Sequence, residues 1–217
     1  MLAMLGLTLK VAATATAAML PFAIACGYWL ARSRSRGKAV VQALVALPMV
    51  LPPVAVGFAL LVLLSRRGPL ADLWTAIGVD LVFTWWAAAV AAAVVGFPLL
   101  VRASEQAFAE VDPSYERLSH SLGLGRLRTF FAVTLPLARR GVFYGTLLAF
   151  TRALGEFGAT ALVAGIIPGR TETVALGIYS RVQLGDDEAA WWLCGASFAI
   201  ALAAMLIAEG WLRREPR

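Results

Sequence analysis

The stretch "SHSLGLGRLRTFFAVTLPLARRG", residues 119–141, lies at the centre of a chain that is 60% hydrophobic, yet it is dotted with arginines and punctuated by glycines. A helix start precedes it. Asp112 can accept hydrogen bonds from the free amides of a first turn, and Pro113 fits the first helical position, where no amide hydrogen is needed. The spacing predicts a helix with Tyr115, Leu118 and Leu122 on one face and Glu116, Arg117 and His120 elsewhere, ended by a left-handed cap at Gly123. After Gly125 a second short helix is predicted, with Leu127, Phe130, Phe131 and Thr134 on one side, Arg126 and Arg128 on the other, and Pro136 closing it. Two amphipathic helices hinged at glycine form a knob. Such a knob suits a membrane surface or a groove in a partner, and amphipathicity alone favours neither.

The sequence around the knob is that of a membrane protein. A length of 217 residues suits one domain. The mean hydropathy is +0.78. Charged residues make up 15%, against about a quarter in soluble domains. Residues 11–31, 39–65, 81–101 and 189–208 carry no charge, and each reaches the roughly 20 residues that cross about 30 Å of hydrocarbon as a helix. A fifth stretch, 142–166, is apolar except for Arg152 and Glu156. The expected fold is therefore all-α and integral to the membrane. About five spans are expected, near 9–31, 39–64, 82–104, 142–164 and 189–211, with a polar loop at 105–140, in a single domain over 5–210. The first span is no cleaved signal, because its basic cluster "RSRSRGK" follows the apolar run instead of preceding it.

Charge sets an orientation. With the amino terminus outside and the carboxyl terminus inside, thirteen of nineteen Lys and Arg fall on the inner side and five on the outer. The outer loops hold Asp72, Asp80, Glu172, Asp186, Asp187 and Glu188. This is the positive-inside pattern. The net charge of +6 thus reflects topology. Dispersed over several loops, it gives no support to nucleic-acid binding.

Within the spans, Pro48, Pro52 and Pro53 interrupt the second, either as a packed kink or as irregular backbone lining a pathway. Gly141, Gly145, Ala149 and Ala153 lay a stripe of small residues along the fourth, a face for close helix packing. Arg152 and Glu156, four apart, can reach each other. They form either a pair that ties helices together or an anion-attracting arginine oriented or gated by its glutamate. Thr171 and Thr173 either present hydroxyls to a solute near the outer mouth or are ordinary turn residues. Cys26 and Cys194 lie apart within spans, and His120 is the only histidine, so neither thiol pairing nor a metal site is indicated. No GxxxxGK[ST] occurs, and the two lysines, Lys10 and Lys38, lie outside any glycine-rich loop. No catalytic residue, no cofactor and no nucleotide-hydrolysing site of its own are expected. Five spans are few to enclose a pathway, so a homodimer with the route at its two-fold interface is expected.

From Gly123 the spacing is glycine, nine residues, Val133, one residue, Leu135, Pro136. This resembles the cytoplasmic EAA loop of ABC-importer permeases, EAA, three residues, G, nine residues, I, one residue, LP. Arg117, Leu118 and Ser119 stand at the EAA positions, with Glu116 one place earlier. The resemblance implies the type I ABC importer permease fold, in which this loop docks on a separate cytoplasmic ATPase subunit. It makes Glu116, Arg117, Leu118, His120, Gly123, Leu135 and Pro136 the expected coupling residues. "LPMVLPPVAVGFALL" at 47–61, "GFPLLVRA" at 96–103 and "RALGEFGATALVAGIIPGRTET" at 152–173 resemble molybdate permeases of bacterial cytoplasmic membranes, with tungstate and sulfate or thiosulfate permeases as close relatives. An extracytoplasmic oxyanion-binding protein is implied as partner. Pro52, Pro53, Arg152, Glu156 and Thr171 are the candidate pathway residues. A stand-alone ion-coupled carrier using Arg152 and Glu156 as its relay is the rival reading, and it has no need of a docking knob.

Overall fold

Apolar runs without charge become helices; Pro52 and Pro53 break one of them, while Pro21, Pro48 and Pro98 stay inside theirs. The computed structural model describes residues 2–213, and every regular element among them is helical. The first, α1 (Leu2–Arg32), keeps Pro21 inside it. The expected second span is two helices. α2 (Lys38–Val50) stops, and α3 (Pro53–Leu64) restarts at 106° to it. Pro52 disfavours a helical residue before it, and Leu51 is extended with ψ 144°. Pro53 then opens α3, where its missing amide hydrogen is not needed.

A short α4 (Ala71–Ala76) leads to α5 (Trp85–Ala109), capped by the Thr84 hydroxyl, which accepts from the Ala87 amide at 3.3 Å. α6 (Pro113–Ser121) and α7 (Arg126–Thr129) follow. α7 does not end at Pro136. It passes through one π-helical turn (Phe130–Thr134) directly into α8 (Leu135–Leu154). The Leu135 amide bonds to the Phe130 carbonyl five residues back, and this widened turn leaves room for a proline ring that would crowd an ordinary helix interior. The expected helix over 142–164 breaks at Gly155, and α9 (Gly158–Val163) begins anew. α10 (Val174–Gln183) and α11 (Asp187–Arg213) complete the chain.

By length and composition α1, α5 and α11, through Ile207, can each cross a membrane, and the α2–α3 pair, bent by 106°, is either a fourth, broken span or a re-entrant loop. α8 has 20 residues, enough for a fifth crossing, but carries Arg139, Arg140 and Arg152. Of the tail arginines counted toward the inner side, Arg214 and Arg217 lie outside the described residues.

α5 is the central helix, packed along α1 on one side and α8 on the other. Small residues allow this. A Cβ on Gly145 would sit 2.4 Å from the Cβ of Ala103, one on Gly141 2.5 Å from that of Ala107, and one on Gly27 2.6 Å from that of Ser104. Close approach gains dispersion contacts where lipid supplies no hydrophobic drive between helices. At the end bearing α6, Phe108, Val111, Ala138 and Val142 form a separate buried cluster. There Tyr28 meets Phe108 and Phe130 edge-on, with centroids 5.4 and 5.0 Å apart.

Candidate functional site

The knob forms from local rules. Asp112 Oδ1 accepts from the Ser114 amide at 2.7 Å, which holds its carboxyl below the usual range, with Arg117 and Arg32 adding to the effect. At the other end of α6 the Gly123 amide bonds to the His120 carbonyl at 3.0 Å and the Leu124 amide to that of Ser119 at 3.1 Å. Gly123 has φ +84°. This double closure requires a left-handed residue. The chain then returns, and hydroxyls join the two arms, with Ser119 Oγ 3.0 Å from Thr129 Oγ1 in a buried contact. His120 Nδ1 lies 2.9 Å from the Leu124 carbonyl, which fixes the ring at the hinge.

The outward face is apolar. Tyr115, Leu118, Leu122, Leu127 and Phe131 are all exposed, with Arg117, Arg126 and Arg128 exposed among them. The side predicted for the second helix splits in two. Leu127 and Phe131, four apart, point outward, while Phe130 packs against Tyr28 and Thr134 is fully buried. Leu135 packs against the cluster around Phe108, and Pro136 is exposed.

Glu116 is placed otherwise than expected. Its Oε1 accepts from Arg32 Nε at 3.1 Å and Nη2 at 2.9 Å, and from the Thr134 hydroxyl at 3.0 Å. The Glu116 side chain is 14% exposed. The Glu116 carboxylate thus faces inward onto a guanidinium and a hydroxyl of its own chain. Arg117, Leu118, His120 and Gly123 remain exposed.

A second constellation joins the broken helices. The first residues after each break meet, since a Cβ on Gly158 would lie 2.8 Å from Pro53 Cβ. One on Gly57 would lie 2.7 Å from the Ala159 Cα, so α3 and α9 touch nearly backbone to backbone. Beside this crossing Arg152 Nη1 lies 2.8 Å from Glu156 Oε2. Glu156 is beyond the end of α8, not on it. Its Oε1 accepts from the Ala159 amide at 2.9 Å and so caps α9. Its side chain is 2% exposed, while that of Arg152 is 35% exposed. Pro52 and Pro53 are exposed at the elbow.

Thr171 does not present its hydroxyl to a mouth. It is fully buried, donates to the Gly165 carbonyl at 2.9 Å and accepts from the Ile167 amide at 3.1 Å. Both bonds close the loop before α10. Thr173 caps α10. Among the described residues no three His, Cys, Asp or Glu gather as a metal site, and Cys26 and Cys194 are free thiols.

A family profile described as "Binding-protein-dependent transport system inner membrane component" matches residues 20–214. The chain belongs to this family. The permease is 44% identical over 213 residues to the molybdenum transport system permease protein ModB of Escherichia coli (strain K12), covering 97% of this chain and 93% of that one. It is 35% identical over 186 residues to the sulfate transport system permease protein CysT of Salmonella typhimurium, covering 86% and 66%. A chain of the MetNI methionine ABC transporter in inward-facing conformations superposes with a TM-score of 0.75 at 15% identity, covering 97% and 94%. The fold is that of a type I ABC importer permease.

Sequence reasoning missed four of the residues that hold the permease's knob together. Arg32 read as one member of a basic cluster, Ser119 as part of the triplet at the EAA positions and Thr134 as part of an otherwise apolar helix face, while Thr129 was given no role. One signal was available. Thr134 and Thr129 are the uncharged polar residues of a segment whose other members are apolar or basic, and a polar residue on the inward side of a helix needs a partner.

Proposed function

We propose that this permease translocates molybdate into the cytoplasm of a bacterium as a homodimer. ATP hydrolysis on separate ABC ATPase subunits drives it, and an extracytoplasmic binding protein delivers the oxyanion. The subunit itself hydrolyses no nucleotide. The observation that carries the reading is the knob. Five large apolar side chains and three arginines stand exposed on a helix, glycine, helix unit. Such a face is costly to leave in water and fits a groove on a protein partner. With the positive-inside rule, the knob and carboxyl terminus are cytoplasmic and the amino terminus external.

The crossing of the broken helices is the candidate pathway element, over a single permease domain at 5–210. Irregular backbone at membrane depth is tolerated where protein or a water-filled route covers it. The exposed Pro52 and Pro53 and the partly exposed Arg152 would face that route, and Glu156, fixed by Ala159, orients the guanidinium. An arginine with its charge countered can attract a dianion without holding it too long. Likeness to a sulfate permease supports a second reading, in which sulfate is the cargo of the same machine.

Uptake into vesicles containing the permease, its ATPase and its binding protein tests this, with molybdate, tungstate and sulfate compared. ATP-dependent molybdate uptake is expected, fastest of the three. Uptake by the permease alone, driven by an ion gradient, would reject it in favour of a secondary carrier.

A further inference from the structure

We propose that Arg32 is a positioning residue that ties the knob to α1. A displacement of α6 by a docked ATPase then reaches two spans at once, α8 through the chain and α1 through this guanidinium. The inference rests on the permease reading above. Arg32 is the last residue of α1, and the chain itself separates it from Glu116 by 84 positions. Its guanidinium grips α6 at two points. Nη2 donates to the Val111 carbonyl at 3.0 Å, just before the helix start, and Nε and Nη2 donate to Glu116 Oε1 within the helix.

The same carboxylate oxygen receives the Thr134 hydroxyl from the π-helical turn that leads into α8. α1, α6 and the entry to α8 therefore converge on one atom. The joint is largely withdrawn from water, with side chains 19% exposed for Arg32 and 14% for Glu116, and Thr134 fully buried. Charge-assisted bonds of this kind are short, directional and weakly screened when buried. Beneath them Tyr28 of α1, Phe108 of α5 and Phe130 of the π turn pack edge to face. The polar joint thus rests on an aromatic base drawn from the same helices. A glutamate serving as a docking contact would face outward. This one faces inward, and its partner is α1.

A double-mutant cycle tests the tie in the reconstituted transporter, containing permease, ATPase and binding protein, with molybdate as the probe. Arg32→Gln and Glu116→Gln should each lower the molybdate moved per ATP hydrolysed by about tenfold, the scale of one lost charge-assisted bond. Co-purification of the ATPase should be unchanged. The double variant should be no worse than either single one, because both remove the same joint. Losses that multiply, or loss of ATPase binding in Glu116→Gln alone, would overturn the proposal. Thr134→Val, which removes a hydroxyl at nearly constant volume, should lower the same ratio less.

A second measurement avoids altering the joint. Spin labels at the exposed Arg34 and Ser121, with Cys26 and Cys194 replaced by alanine, should report the same separation in the nucleotide-free and ATP-bound complexes. A changed separation means that α6 leaves α1 and the tie does not transmit. If the wild-type transporter moves no oxyanion with ATP, the permease reading fails. If it works while Arg32 and Glu116 act independently, this inference alone fails.

Discussion

Replacing Gly145 with alanine should push α5 and α8 apart, and the size of the effect follows from the seam between them. The added Cβ would stand 2.4 Å from the Cβ of Ala103, against about 3.5–4.0 Å for carbon atoms in ordinary contact. The helices must separate by about 1 Å, and the neighbouring contact of Gly141 on Ala107 would loosen with them. Overpacking of this kind costs about 1–3 kcal/mol. For a chain of this size each kcal/mol lowers the melting temperature by about 2–4 °C, so Gly145→Ala should melt about 2–12 °C lower. The seam also predicts its own repair. With Ala103→Gly the nearest atoms to the new Cβ become Leu100 Cδ1 at 3.4 Å and Ala103 Cα at 3.7 Å, both tolerable. Ala103→Gly alone costs about 1 kcal/mol in helix propensity. The double variant should therefore melt with Ala103→Gly, well above the sum of the two losses. Thermal unfolding of the detergent-solubilised permease, followed by tryptophan fluorescence, reads all four proteins. An unchanged melting point for Gly145→Ala, or strictly additive losses, would refute the account of the packing.

Leu118 is 61% exposed, so Leu118→Asp should change stability by no more than about 0.5 kcal/mol while abolishing co-purification of the ATPase. Gly123 has open space where a Cβ would go, so Gly123→Val meets only the left-handed backbone cost of about 1–2 kcal/mol. The variant should reach the membrane yet fail to link ATP hydrolysis to uptake, as paired assays would show. Glu156→Gln keeps an acceptor for the Ala159 amide and loses the charge opposite Arg152. Molybdate uptake should drop sharply in that variant, and unchanged uptake with an unchanged melting point would remove the pair from the pathway. The Asp112 carboxyl is lowered by the Ser114 amide, so its cap contributes stability above the ordinary value of about 4 and loses it as pH falls through the lowered one. Asp112→Asn should abolish that dependence, read as hydrogen-exchange protection at the start of α6.

The sequence by itself determined what depends on neighbours along the chain. Uncharged runs long enough to cross hydrocarbon, an Asp-Pro helix start and a glycine where only a left-handed residue closes the helix are all local facts. Each fixes an element wherever it lies. The small residues at 141, 145, 149 and 153 announced a close seam, because a four-residue period puts them on one face of any helix. Tertiary structure alone decided which groups meet across distance. Arg32 and Glu116 are 84 positions apart, and no pattern within either segment says that the glutamate turns inward. Whether Phe130 faced out with Phe131 or in toward Tyr28 depended on a π turn and on the aromatic rings waiting there. Glu156 became the cap of a new helix only because Gly155 ended the old one and Gly158 could come against Pro53. A charge or ring takes the partner that packing brings within reach, and packing is set by the whole chain.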